Sequence, residues 1–385
     1  MAYPLENLRV LDLSRFLAGP FAGRMLCDLG ADVVKVEPPD GDTTRIWGAD
    51  VAGTRGYYHQ QNAGKRNICV DLAVPAGVEV LKALAAKADV LVENFRPGVT
   101  GRLGIAYPAL RDVNPRLVML SISGFGQEGP ESQRAAFASV IHAESGLIAR
   151  QARRSGSPPA DLEVSQADMN AGMHGLIAVL SALWMRERTG VGQHIDIAMI
   201  DATLGTDDFL QYALEDSWET RPLPNDIWAT AGGPILISAD FRHIWNQVRS
   251  FYSVEDPAPA GASVAEKAAC RRTAVSVFLA GLPGRAAVIA ALDAMNLAWG
   301  DVRESENARQ QPTVRHRGTI IDIDDRAGGT RPIVQSPYRF SAAESGVRGP
   351  IAWQGEHNEV VLREWLGVGE AQIASWREAL VGPAR

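Results

Sequence analysis

Two stretches of this sequence carry residue types at spacings that chemistry could use. The first is GFGQEG at residues 124–129, which matches the GxGxxG spacing of dinucleotide loops and follows a strand-like run. Such a loop works when a helix begins inside it, so that free N–H groups face a pyrophosphate. Here Pro130 follows at once, Glu128 would repel phosphate, and no apolar helical period succeeds it. The earlier turn at residues 14–23, SRFLAGPFAG, is where such a fingerprint belongs, and its glycines are wrongly spaced. Glu37 resembles a ribose-binding acid but lacks the glycine loop, so a nicotinamide cofactor is not expected. The second stretch is SQADMNAGMH at residues 165–174, where Asp168 stands at the head of a long apolar period. On its own, Ser165 with Asp168 three residues on reads as a capping box. A helix N-terminus would also hold that carboxylate ionised and stabilise developing negative charge.

The elements that would position these residues alternate in type. Residues 8–13 read as a strand, 14–20 as a loop leading into a helix that ends near 29, and 32–36 as a second strand. Strand-like runs follow at 68–72, 89–92 and 117–122, with a helix at 76–87, which makes the first part of the chain a doubly wound α/β unit with a parallel sheet. Residues 167–188 have helical periodicity, and 194–200 fit either a strand or the start of a buried helix. Two prolines mark 217–225 as a linker, 226–300 hold one strand at 234–238 and two helices, β character resumes at 319–323, and the tail at 356–380 is helical.

Composition limits the alternatives. A net charge of -7 argues against a nucleic-acid-binding role. The apolar run at 176–185 is too short to span a membrane, and the first nine residues have no signal-peptide core. Cys27, Cys69 and Cys270 form no CxxC pair and read as reduced thiols of a cytoplasmic protein. No metal site is expected.

Several segments, taken in order, resemble the class III coenzyme A transferase family of the formyl-CoA:oxalate, carnitine and bile-acid-inducible type. They are LAGP at 17–20, LGADVVKVE at 29–37, NAGKRN at 62–67, ADVLVENFRPG at 88–98, SGFG at 123–126, RERTGVGQHID at 186–196 and GEH at 355–357. The resemblance is strong over 5–205 and weaker over 312–385. It implies a Rossmann-like large domain made from both chain ends, 1–205 and 312–385, a small α+β domain at 225–300 inserted between them, and an interlocked homodimer. It also implies acyl-CoA and a small carboxylic acid as substrates, with no permanently bound cofactor.

Carried over by resemblance, Asp168 is the covalent nucleophile. The CoA surface comprises Phe16, Leu17 and Ala18, the stretch from Val70 to Ala73, then Asn94, Phe95 and Arg96, Arg102, and the stretch from Arg134 to Phe137, with Lys65 and Arg66 adding charge nearby. Two positions depart from the pattern. Pro38 stands where some members have a basic residue, and EDSWETRP at 215–222 stands where the oxalate-using members have a glycine-rich loop, which makes oxalate a poor fit as acceptor. Gly232 and Gly233 read as a turn before a strand. Three other readings share the fold: an α-methylacyl-CoA racemase, transfer of CoA between two carboxyls of one dicarboxylate, and a silent CoA-binding protein. The racemase needs a histidine where Phe137 stands, and His142 reads as a structural histidine. Arginines and histidine in 134–153 could hold a second carboxylate.

Overall fold

A computed structural model describes residues 1–51, 53–220 and 225–382. Residues 221–224 of the expected linker lie outside the described residues. The chain divides into two compact units, one formed by Met1–Asp208 with Arg315–Arg385 and the other by Phe209–Val314.

Six parallel strands organise the first unit: β1 (Arg9–Asp12), β2 (Asp32–Glu37), β3 (Arg66–Cys69), β4 (Val90–Glu93), β5 (Val118–Ser123) and β6 (His194–Ala198). Their order across the sheet is β3-β2-β1-β4-β5-β6. β4 and β5 are buried along their whole length, as a parallel sheet covered on both faces requires. The direction of winding reverses between β1 and β4, so the loops leaving those two strands diverge and open a crevice at the carboxyl edge.

Side-chain alternation divides the core. Val10, Val33, Val92 and Leu120 face Met25, Leu26, Leu176 and Val179. These belong to α1 (Ala18–Asp28) and α4 (Gln166–Thr189); α2 (Pro75–Ala85) and α3 (Ala138–Glu144) lie between them in the chain. On the other face Leu11, Val34 and Leu91 pack with Leu81 and Leu84 of α2 and with Val361 and Trp365 of the C-terminal helix Asn358–Leu366.

The C-terminal segment covers the edge of the sheet. Asn67 N–H donates to His357 Nδ1 at 3.2 Å, Cys69 N–H donates to Asn358 Oδ1 at 2.8 Å, and Gly355 N–H donates to Asn67 Oδ1 at 2.7 Å. The NAGKRN and GEH stretches therefore meet across β3, whose unpaired groups would otherwise be an exposed edge. Gly355 is required there: its φ is +70°, and a Cβ would stand 2.4 Å from the Val381 carbonyl oxygen.

Two local expectations change, and a third holds. The strand expected at 68–72 lies earlier, at Arg66–Cys69, because Val70 leaves the ladder to bridge Leu380. Residues 194–200 are both alternatives in turn: β6 runs straight into a helix at Met199–Gly205. The 124–129 stretch opens no helix; Gly126 and Gly129 have φ of +88° and +100°, and Gln127 N–H donates to Asp196.

The second unit has an antiparallel sheet of Asp226–Trp228, Ile235–Ile237 and Trp299–Asp301, with Ile235–Ile237 in the centre. Three helices, Phe241–Tyr252, Val264–Gly281 and Arg285–Ala294, pack around Ile235, Ile237, Trp245, Leu279 and Leu292, one helix more than the sequence pattern indicates. Among the described residues no helix is long and apolar enough to cross a membrane, and all three cysteines are free.

Candidate active site

The β1–α1 loop is held from below by buried charge. Lys65 Nζ donates to Asp12 Oδ2 at 2.7 Å and to the Pro20 carbonyl at 2.8 Å. Lys35 Nζ donates to Asp42 Oδ2 at 2.9 Å and to the Ser14 carbonyl. All four side chains are almost fully buried, so each charge depends on its partner. Burial pushes Lys65 down to about 8, against the upward pull of Asp12. Lys65 therefore does not present its charge to a ligand. Nor is Arg66 free: it pairs with Asp32 and Glu364, at the start of β3, away from the carboxyl edge. Both depart from the expected role of added charge beside CoA.

This scaffold fixes the residues that follow β1. Phe16 adopts a left-handed φ of +64°, unusual for a bulky residue and sustained by its surroundings. Its ring meets the Phe137 ring edge-on at 5.6 Å and Trp47 at 5.7 Å, and Trp47 contacts Tyr57 at 5.3 Å. Across the crevice, Asn94 grips the loop: Arg15 N–H donates to Asn94 Oδ1 at 2.7 Å, and Asn94 Nδ2 donates to the Arg15 carbonyl at 2.8 Å. Phe95 N–H donates to Glu93 Oε2 at 2.8 Å. Burial pushes Glu93 up to about 7, although Ser121 and the Phe95 amide favour its charge.

Asp168 lies in the first turn of α4. The helix start is capped from elsewhere. Ser165 makes no side-chain cap bond; His142 Nε2 accepts the Ala167 N–H at 3.2 Å while its Nδ1 is 2.9 Å from Asp161 Oδ1. Asp168 is thus not spent as a cap, and both nitrogens of His142 are engaged. Burial pushes the Asp168 carboxyl up to about 6, while the Ala18 amide, His142 and the Ala138 amide favour its charged form. Ala18 and Ala138 are the first residues of α1 and α3. Tyr57 is pushed up to about 12, by burial first and then by the charge of Asp168, so its hydroxyl lies within reach of that carboxylate's field.

The sheet brings the expected residues to one edge but not into one cluster. Phe16, Leu17, Ala18 and Phe137 gather around Asp168, with Asn94 and Phe95 across the crevice. Val70 and Ala73 follow β3, two strands from the crevice; Val70 is buried and Ala73 N–H is bound to Asp71. Arg96 and Arg102 are exposed beyond β4. Arg134 is taken by Glu131 and Glu144 at 2.9 and 2.5 Å, and Arg150 by Asp207, so neither is a free receptor for a second carboxylate. Trp47, Tyr57 and the capping role of His142 escaped the sequence reading; each acts across a long loop, and none has a local spacing signal.

A half-buried carboxylate beside two unshared amide groups, at the switch point of a doubly wound sheet, defines an α/β enzyme suited to acyl chemistry. The sequence profile described as CoA-transferase family III matches residues 5–358, and the chain belongs to that family. It is a class III CoA-transferase, moving CoA between acyl-CoA and carboxylic acids. It is 32% identical to a succinate–glutarate CoA-transferase of Agrobacterium fabrum, over 94% of this chain and 95% of the relative. It is 42% identical to an acetyl-CoA:oxalate CoA-transferase of Acetobacter aceti, over 55% of this chain and 54% of the relative. The crystal structure of a CAIB/BAIF family protein from Brucella suis superposes with a TM-score of 0.81 at 30% identity, covering 95% of this chain and 100% of that one.

Proposed function

We propose that Asp168 carries the transfer covalently. Its carboxylate attacks the thioester carbonyl of the donor and expels CoA thiolate, leaving a mixed anhydride. The thiolate then attacks the Asp168 carbonyl, releases the donor acid and forms an aspartyl-CoA thioester. The acceptor carboxylate repeats the sequence in reverse, and Asp168 is regenerated with no net proton change. The observation that carries this reading is the placing of Asp168 between the Ala18 and Ala138 amides, which are positioned to bear charge developing on the attacked oxygen. Phe16, Trp47, Tyr57 and Phe137 form a connected set of ring contacts, of which Tyr57 lies within the field of Asp168. The full-length relative named for succinate and glutarate makes succinyl-CoA with five-carbon and four-carbon dicarboxylates the first substrates to test. Hydroxylamine added during turnover converts either intermediate to a hydroxamate. The adduct should map to the peptide holding Asp168 and require an acyl donor; turnover without any such adduct would refute the covalent route.

The functional unit in this reading is an interlocked homodimer. Met173, Ile177 and Trp184 lie along one side of α4 and are 43%, 58% and 72% exposed, an apolar stripe suited to a second copy. A stable 41.4 kDa species in light scattering at micromolar concentration would contradict it.

A further inference from the structure

Among the described residues Arg15, in the loop between β1 and α1 on the crevice, has no counter-charge. Its main chain is clamped in both directions by Asn94, and the next residue holds a left-handed turn, so its position is firmly set. Its Nε is buried and has no hydrogen-bond partner among the described residues. Its guanidinium lies 6.0 Å from the centre of the Phe95 ring. Arg45 and Arg134 are matched, with Glu37 and with Glu131 and Glu144, whereas Arg96 and Arg102 are exposed to solvent. A buried donor left unpaired is costly, and a ligand that supplies the acceptor removes that cost.

We propose that Arg15 binds an oxyanion of the acyl-CoA substrate. The planar guanidinium fork fits phosphate and carboxylate oxygens, which are carried respectively by the CoA moiety and by a dicarboxylic acyl group. Its placing favours phosphate. Phe95, over which it lies, packs with the core on the α2 face of the sheet, whereas Asp168 rises from α4 on the opposite face. The inference rests on acyl-CoA being the substrate and does not depend on how Asp168 reacts.

The test is calorimetric titration with CoA, dephospho-CoA and pantetheine, without turnover, for the wild-type protein, Arg15→Met and Arg15→Lys. Among the described residues the Arg15 side chain makes no hydrogen bond, so thermal unfolding of both variants should match or exceed wild type. Arg15→Met should weaken CoA binding about 10- to 100-fold, and Arg15→Lys less. With pantetheine, which has no phosphate, the three proteins should bind alike. In turnover the donor KM should rise while kcat holds. If CoA affinity is unchanged but the variants lose discrimination between succinyl-pantetheine and butyryl-pantetheine, the oxyanion is the acyl carboxylate. Equal loss with every ligand, or no loss with any, overturns the proposal.

Discussion

Gly172 and Ala18 are in contact so close that a Cβ on Gly172 would stand 2.7 Å from the Ala18 carbonyl oxygen. Gly172 lies one turn after Asp168, so this contact seats α4 directly against the start of α1 and brings the Ala18 amide to the Asp168 carboxylate. Gly172→Ala should force the two helices apart. A stability loss of about 1–3 kcal/mol is expected, with a fall in kcat out of proportion to it. Thermal unfolding and steady-state kinetics on the same sample would check both.

Asp168→Asn should lower transfer by several orders of magnitude, as removal of a covalent nucleophile does. It should at the same time stabilise the fold at neutral pH. The folded carboxyl is raised from 3.8 to about 6, so its contribution to stability is complete below about pH 4 and is lost as pH rises through 6. The amide has no such loss. At pH 8 the variant should be more stable than wild type by on the order of 1 kcal/mol after allowing for partial exposure, with a higher unfolding temperature, and the gap should close near pH 4.

The pH dependence of kcat/KM should show one limiting ionisation near pH 6 on its acid side, rising to a plateau as Asp168 loses its proton. A flat profile between pH 5 and pH 8 on a non-ionising donor would contradict an Asp168 nucleophile.

His142→Ala leaves the Ala167 N–H without its acceptor and Asp161 without its partner. A stability cost of about 1–2 kcal/mol is expected, as for other lost helix caps. With Nε2 accepting, the ring is neutral, so the acid limb of the rate profile should stay in place while stability falls. Denaturant unfolding and the pH profile of the same variant would check both.

Lys65→Met would leave Asp12 buried without its cation and should cost about 3–5 kcal/mol. Adding Asp12→Asn should recover a large part of it. Denaturant unfolding of the single and double variants would show whether the pair is coupled.

The order of strands and helices along the chain was legible because each follows local rules: short apolar runs for β1, β2 and β4, and a sustained 3.6-residue period for α4. Asp168 was legible only through its neighbours in a known pattern; by itself its spacing indicated a cap. The structure gives that cap to His142, separated by 25 residues. The same limit hid the Lys35 pair and the Lys65 pair, the latter expected to add charge beside CoA. Which charges are buried depends on what the sheet stacks above them, and no window of sequence contains that.

The pairing of Gly355 with Asn67 has a consequence for biosynthesis. The two residues are 288 apart, so β3 is translated long before the segment that covers its edge. At roughly 5–20 residues per second, the nascent sheet waits about 15 to 60 seconds for that cover. The inserted second unit accounts for much of the delay. During that interval the ribosome carries an open strand edge, and the yield of folded protein should be sensitive to chaperone supply and to growth temperature.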